Sequence, residues 1–172
     1  MNGGFIRVVN TVPSQNLDEE VAGAARVFQA CGTTTTGSHR GLIRHLMQHK
    51  HAAPFEMVEF KFHIKMPTYE AYQYFGHRAA AVVTNTFLMP DGSLIYQHVD
   101  IGHAKYIEFY WVVNLNSLLN HLEMHMDSTY TYKIFNLIKE LVPITLEAFI
   151  DFRIPTTSSE PDFIGKFKFL KL

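Results

Sequence analysis

The chain has 172 residues, enough for one domain with one sizeable core, and its 47% hydrophobic and 18% charged residues are the balance of an ordinary globular protein. Its formal charge is −1, from 15 basic and 16 acidic residues, which argues against a protein that coats nucleic acid, because that affinity depends on a basic surface. The single cysteine, Cys31, excludes an intramolecular disulfide and is typical of a reducing compartment.

The N-terminal residues lack the basic stretch and apolar core of a signal peptide. No uncharged apolar run approaches the ~20 residues that a membrane span requires. We therefore expect a cytoplasmic protein, without a membrane or nucleic-acid partner, that forms a single domain over residues 1–172.

In the first part of the chain, the pattern predicts a strand, two helices and a second strand. Residues 5–11 form the first strand, apolar residues at helical spacing follow from Leu17 to Phe28, and Ser38 caps the second helix. Residues 57–66 form the clearest strand, since Phe60, Phe62 and Ile64 alternate with charged residues and His63.

The second part continues with a helix up to Gly76, a hairpin around the turn at residues 90–92, and a buried strand at residues 107–113. Three helices follow, the second capped by Asp127 and the third beginning after Pro143, and residues 163–172 form a strand-like tail. This order predicts an α+β fold with a central, mainly antiparallel, twisted sheet flanked by helices.

Ten histidines include two pairs spaced by one helical turn, His45 with His49 and His121 with His125. Such pairs are typical of zinc sites or of ordinary hydrogen-bonded histidines, and the metalloprotease order H-E-x-x-H is absent. We predict no metal. Cys31 is either a nucleophile or a small buried residue, and the absence of a Gly-rich fingerprint argues against a Rossmann or NTPase site.

Polar residues concentrate at the junction between the strand at 107–113 and the following helix. Asn114, Ser117, His121 and His125 fall on one helical stripe, and Asn116 and Asn120 form a second short stripe beside it. Carboxamides donate and accept hydrogen bonds and suit a heterocycle or a ribose, whereas the alternative is a solvated helix face. The three asparagines favour a ligand.

Taken in order, four blocks resemble motifs of the flavin-dependent thymidylate synthases, from near residue 20 to residue 152. The family motifs G-H-x-[ST]-P-F-E-H, A-R-Q-W-F-R-H-R, F-Y-W-x-x-N-x-R-S-L-x-N and P-x-T-x-E-A-F are matched by residues 51–56, 71–78, 109–120 and 143–149. Their combined order is specific, although each motif alone is not.

The chain also departs from the family pattern R-H-R-x-x-S-x-x-x-x-S-x-R. Gly76, Ala81, Thr86 and Leu88 replace its first arginine, its two serines and its last arginine, and a long middle segment of the family is missing. His98, Asn116 and His125 stand where the family usually has arginines. A histidine that replaces an arginine titrates near neutrality, so we expect anion binding to weaken as pH rises.

The resemblance implies a homotetramer in which subunits share FAD and nucleotide sites, with methylenetetrahydrofolate and NADPH as co-substrates. The positions that match flavin contacts are His51, Glu56, His77, Arg78, Asn114, Asn116 and Asn120. The positions that match nucleotide contacts are Gln73, Thr86, His98 and His125. No residue is assigned a catalytic role, because the reduced flavin carries the hydride chemistry.

The sequence leaves three functions open. The first is C5-methylation of UMP or dUMP, since a short branch of the family in nucleoside-antibiotic pathways methylates UMP. The second is a flavin- or nucleotide-binding homologue without turnover, which the altered signature motivates. A third function, which the two histidine pairs motivate and not the resemblance, is a histidine-rich metal protein.

Overall fold

The computed structural model describes residues 4–28, 38–75, 86–88, 94–97 and 106–154. These residues form, in chain order, β1 (Phe5–Val12), α1 (Leu17–Phe28), α2 (His39–Gln48), α3 (Ala53–Glu56), β2 (Glu59–Pro67), α4 (Thr68–Phe75), β3 (Thr86–Leu88), β4 (Leu94–Gln97), β5 (Tyr106–Asn114), α5 (Leu115–Met124), α6 (Thr129–Ile138) and α7 (Pro143–Arg153).

The strands within these ranges form one sheet in the spatial order β1-β2-β5-β4-β3, and every neighbouring pair is antiparallel. β2 and β5 pair along their whole length, from Glu59 opposite Asn114 to Pro67 opposite Tyr106. β3 and β4 form the predicted hairpin, with Thr86 opposite Tyr96. The predicted α+β fold with an antiparallel sheet and flanking helices is therefore confirmed.

The core lies between one face of the sheet and the helices. Phe60, Phe62 and Ile64 of β2 are fully buried, as their alternation predicts, and the Phe62 ring stacks on Trp111 of β5 with ring centroids 5.5 Å apart. Each such side chain stabilises the fold by about 1.5–3 kcal/mol relative to exposure. Ser38 caps α2 as predicted, because its Oγ accepts a hydrogen bond from the Gly41 amide.

The opposite face of the sheet contains a polar cluster that strand alternation did not predict. His63 belongs to the polar side of β2, yet it is buried, since its ring stacks on Tyr110 at 4.6 Å and meets the Phe5 ring edge at 4.9 Å. Arg7 donates to His63 Nδ1, and Nε2 lies 2.7 Å from the Glu108 carboxylate. Neighbouring strands therefore shield a residue that its own strand would expose.

Contacts with α1 and α2 fix the position of α7. The Asp18 carboxylate of α1 accepts hydrogen bonds from the Ile144 amide at 2.8 Å, from the Thr145 amide at 3.1 Å and from the Thr145 hydroxyl at 2.6 Å. Asp18 thus caps α7 although it belongs to α1. The free amides and the helix dipole at the start of α7 favour an acidic side chain there. Arg44 of α2 pairs with Asp151 at 2.6 Å farther along α7. These contacts place the last turn of α7 beside α2 and α5.

One helix boundary and one additional helix differ from the prediction. α6 is capped by Ser128, whose Oγ accepts from the Tyr130 amide, so the assignment of the cap to Asp127 is wrong by one residue. The short helix α3, with Pro54 in its first turn, was not predicted. Several predictions lie outside the described residues: Cys31, His77, Arg78, His98, the turn at 90–92 and the tail at 163–172.

None of the helices in the described ranges combines the length and apolar composition that crossing a membrane requires.

Candidate functional site

A cavity of about 330 Å³ lies between α2, α3, α5 and α7. Its lining combines a set of apolar side chains with a set of polar and charged ones, which we call the polar wall. The apolar side chains are Leu46, Met47, Ala52, Phe55, Leu119 and Phe152. The polar side chains are Lys50, His51, Asn116, Asn120, Glu123 and Arg153. A concave site with apolar side chains and a few convergent polar groups is the usual form of a binding site for a small molecule or cofactor.

His51 reaches the cavity because the chain turns sharply after α2. Lys50 has a φ of +56°, and the amides of Lys50 and His51 donate back to the carbonyls of Met47 and Leu46 at 3.2 and 2.9 Å. The turn ends α2 and leads directly into α3. It therefore carries His51 and Phe55 to the same cavity, as the motif at residues 51–56 requires.

α5 supplies the amides of the polar wall. Asn116 and Asn120 both line the cavity, one helical turn apart. Asn116 Nδ2 donates to the Glu56 carboxylate at 3.4 Å, so Glu56 adjoins the site through Asn116. Four of the predicted flavin contacts thus converge here: His51, Glu56, Asn116 and Asn120.

Asn114, a further predicted flavin contact, is the N-cap of α5. Its Oδ1 accepts from the Ser117 amide at 2.8 Å and caps α5, and it is not among the residues that line the cavity. The neighbouring Leu115 amide donates to the Val58 carbonyl at 2.7 Å. The start of α5 is therefore fixed to the segment between α3 and β2, which orients the two asparagines beyond it.

The stripe of Asn114, Ser117, His121 and His125 does not form the cavity wall. Ser117 and His121 are buried and His125 is half-buried. The His121 ring lies 4.6 Å from Tyr74 of α4, 5.0 Å from Trp111 and 4.6 Å from His125. The second stripe, Asn116 and Asn120, is the one that faces the cavity.

Burial lowers the pKa of His121 to about 3, and the neighbouring His125 acts in the same direction. Burial also lowers the pKa of His125, while Asp127 partly opposes the change. Both imidazoles are therefore neutral at physiological pH, since their pKa values lie below the ordinary value of 6.5. His125 is therefore not a cation at physiological pH in place of the family's arginine, and any loss of anion binding through its titration is expected at a lower pH than an ordinary histidine would give.

Of the predicted nucleotide contacts, Gln73 and His125 are not among the residues that line the cavity, and His98 lies outside the described residues. Gln73 is exposed on α4, and its Nε2 donates to the Tyr69 hydroxyl at 2.8 Å. Its neighbour Tyr74 contacts the His125 ring at 5.0 Å, so Gln73 and His125 lie at adjoining ends of α4 and α5. Thr86 lies in β3.

The pair His45 and His49 forms a cluster with His51 at the end of α2. The rings of His45 and His49 are 4.3 Å apart, and His51 lies 6.3 Å from each. All three are exposed. In the part of the chain that the structure describes, no three histidine, cysteine or acidic residues are arranged to hold a metal ion.

Arg153 and Glu123 line the cavity but were not predicted. Arg153 belongs to the last turn of α7, where a basic residue is expected simply because it favours the helix dipole. Its position just beyond the block at residues 143–149 was the only sequence signal. Its contacts with α5 depend on the placement of α7, which the sequence pattern does not reveal.

Comparison with known proteins supports the resemblance. Residues 7–86 match the family "Thymidylate synthase complementing protein". The flavin-dependent thymidylate synthase of Wolbachia pipientis wMel is 28% identical over 217 residues, with 88% of this chain and 75% of the relative covered. That of Dictyostelium discoideum is 28% identical over 218 residues, covering 87% and 72%. These alignments are longer than this chain, so the relatives carry a segment that it lacks.

A solved structure shares the fold. The UMP/dUMP methylase PolB from Streptomyces cacaoi, bound with 5-Br dUMP, superimposes with a TM-score of 0.65 at 17% identity, covering 87% of this chain and 96% of that chain. The same methylase bound with 5-Br UMP gives a TM-score of 0.59, with 89% and 96% covered. At this identity the similarity concerns the fold.

Proposed function

We propose that this chain, a divergent relative of the flavin-dependent thymidylate synthases, holds a flavin in the cavity between α2, α5 and α7 and methylates C5 of UMP or dUMP. One observation carries the proposal. His51, Asn116 and Asn120 match flavin contacts of the family, and although they come from distant parts of the chain, they line one cavity. If the chain had lost its flavin site, we would not expect these three side chains still to line the same cavity.

The cavity suits a flat ring system better than a whole dinucleotide. Its volume of about 330 Å³ lies at the lower end of the ~300–1,000 Å³ usual for ligand sites. Phe55, Met47 and Leu119 offer apolar contacts to a ring, while the two asparagines offer hydrogen bonds to its edge. The remainder of FAD would extend beyond the cavity, and we propose that neighbouring subunits of a homotetramer complete the site. Light scattering after gel filtration tests this state.

The proposed reaction transfers the methylene carbon of methylenetetrahydrofolate to C5 of the pyrimidine. A carbon–carbon bond forms between the methylene carbon and C5, and the C5 proton leaves. The bonds from that carbon to the folate nitrogens break, so that tetrahydrofolate is released, and a hydride completes the methyl group. When bound, a flavin reduced by NADPH supplies that hydride. The protein's own residues bind and orient the two rings and exclude water, so most of the rate comes from positioning.

The nucleotide site is proposed from the resemblance and involves Gln73, Thr86, His98 and His125. Because His125 is neutral at physiological pH, it would serve as a hydrogen-bond partner and not as a cation. The cationic role of His98 remains a prediction. If His98 contributes to phosphate binding, nucleotide affinity should fall between about pH 5.5 and about pH 8. A pH-independent affinity over that range would contradict this role.

The first experiment records the absorption spectrum of the purified protein and tests whether denaturation releases a flavin. A protein that is colourless and also ignores added FAD would refute the flavin proposal. Turnover is then measured with UMP and with dUMP, reductant and methylenetetrahydrofolate, with mass spectrometry of the nucleotide. Arg78→Ala should abolish flavin binding or activity, and wild-type behaviour would remove Arg78 from the site.

A second candidate is a flavin- or nucleotide-binding homologue without turnover. The changes at Gly76, Ala81, Thr86 and Leu88 favour it, because they alter the family's signature motif. A yellow protein that yields no methylated UMP or dUMP would support this alternative. Methylation of dUMP alone would instead indicate an ordinary thymidylate synthase.

The setting of the reaction is also a proposal. Methylation of UMP in preference to dUMP would support a role in nucleoside-antibiotic biosynthesis, since ordinary nucleotide synthesis requires the deoxy form. We propose that one cytoplasmic catalytic domain, residues 1–172, carries this activity.

A further inference from the structure

Arg153 joins α7 to the polar wall of the cavity. Its Nη2 donates to Asn120 Oδ1 at 2.6 Å and to the carboxylate of Glu123, one turn along α5. Its guanidinium carbon lies 5.5 Å from the centroid of the Phe149 ring. The side chain is only 20% exposed, so these contacts from two helices hold it in place.

The hydrogen bond to Arg153 determines what Asn120 offers to a ligand. A carboxamide has one oxygen acceptor and one amino group with two donors. Arginine only donates, so it must face the oxygen of Asn120, which leaves the amino group for the cavity. Glu123 balances the charge of Arg153, which disfavours a direct role for Arg153 in binding an anion.

Asn116 is oriented in the opposite sense. Its amino group donates to Glu56, so its oxygen remains available as an acceptor. The Asn116 and Asn120 positions lie one turn apart on α5, at a spacing of about 5–6 Å between their Cβ atoms. The polar wall therefore presents one acceptor and one donor in a defined order.

We propose that Arg153 is a positioning residue that fixes Asn120 as a hydrogen-bond donor, so that the cavity selects a ring with a carbonyl oxygen or an unprotonated ring nitrogen at this point. This inference rests on the proposed function, because it assumes that a flavin occupies the cavity. In FAD, that acceptor belongs either to the isoalloxazine or to the adenine. FMN and ADP, which each contain only one of the two rings, distinguish these sources.

The test is FAD affinity, measured by equilibrium dialysis and by the absorption spectrum of the bound flavin. Arg153→Met keeps an unbranched apolar stem but removes the hydrogen-bond donors, and it should weaken FAD binding about tenfold, as expected for one charge-assisted hydrogen bond. Arg40→Met is the matched control: Arg40 is 61% exposed on α2, pairs with Glu147, and does not line the cavity, so FAD affinity should not change. Thermal unfolding without ligand verifies that each variant folds.

Substitutions of Asn120 separate positioning from direct contact. Asn120→Asp still accepts from Arg153 but offers no donor, so it should weaken FAD binding at least tenfold and change the flavin spectrum. The double variant Arg153→Met/Asn120→Ala should bind no more weakly than Asn120→Ala, because both changes remove the same ligand contact. Additive losses would show that Arg153 contacts the ligand itself and would overturn the proposal.

The remaining outcomes distinguish this inference from the proposed function. If wild-type protein binds FAD and Arg153→Met or Asn120→Asp binds equally well, the positioning role is wrong while the proposed function stands. If wild-type protein binds neither flavin nor uridine nucleotide, both are wrong. If Arg153→Met weakens the affinity for FMN and FAD equally but leaves the affinity for ADP unchanged, the acceptor belongs to the isoalloxazine. If it weakens the affinity for ADP and FAD but not for FMN, the acceptor belongs to the adenine.

Discussion

Replacing His121, the buried histidine of α5, should remove an acid sensitivity from folding. Burial lowers its pKa from 6.5 to about 3, so between these values the unfolded chain binds a proton that the folded protein excludes. Stability therefore falls as pH decreases below 6.5. Between about pH 7 and about pH 5, His121 alone should lower the free energy of unfolding of the wild-type protein by about 2 kcal/mol. Any pKa of His121 below about 4 in the folded protein gives the same result.

The assay is urea denaturation of wild type and of His121→Gln at about pH 7, 6 and 5. His121→Gln should be less stable at neutral pH, because it alters a packed site, but its stability should fall less steeply with acid. Other titrating groups, His125 among them, remain in both proteins and largely cancel in the difference. Leu122→Ala, the next residue of α5, is the control, since it removes buried carbon but no titratable group.

The difference between wild type and His121→Gln should shrink by about 2 kcal/mol from about pH 7 to about pH 5, whereas the difference for Leu122→Ala should stay constant. A difference for His121→Gln that does not change with pH would refute the reasoning. It would mean that the folded protein protonates His121 at its ordinary pKa, through local opening around Tyr74 and Trp111.

Three further predictions concern stability. Asp18→Ala removes the acceptor of three hydrogen bonds at the start of α7 and should lower the free energy of unfolding in urea by about 3 kcal/mol. Glu20→Ala, at an exposed position of α1, should lower it by about 0.5 kcal/mol or less. A loss below about 1 kcal/mol for Asp18→Ala would indicate that water replaces the carboxylate. Arg44→Ala removes partly exposed ion pairs with α7 and should lower the free energy of unfolding by about 1 kcal/mol or less. Added salt should reduce this difference, and a difference that does not depend on salt would indicate lost packing instead. FAD at about one hundred times its Kd should stabilise the wild-type protein by about 2.7 kcal/mol without any turnover, and an unchanged Tm would contradict flavin binding.

Much of the fold follows from patterns that involve only residues close together in the chain. Alternation along β2 predicted that Phe60, Phe62 and Ile64 are buried, because strand side chains point to opposite faces in turn. The cap of α2 by Ser38 was likewise predictable, since a cap bonds to amides two or three residues away. The cap of α6 was placed one residue early, because Asp127 and Ser128 are both good caps and the sequence does not distinguish them.

The candidate site was predicted in part. His51 and Phe55 of the motif at residues 51–56 line one cavity together with Asn116 and Asn120 of α5, whereas the assignment of these positions as flavin contacts stays a prediction. The choice between the two stripes of α5 was not predictable from spacing, because both have helical periodicity. The stripe with His121 packs into the core, where the rings of Tyr74 and Trp111 lie against His121. Asn116 and Asn120 consequently face the cavity.

The sequence by itself therefore determined the order of helices and strands, the buried faces of the strands and the family resemblance. Only the tertiary structure decided that His63 is buried, that Asp18 caps a helix far along the chain, and that Arg153 orients Asn120. The physical reason is the range of the interactions. Helix periodicity, strand alternation and most caps depend on neighbours a few residues away, whereas a cavity wall depends on contacts between helices and strands that are distant in sequence.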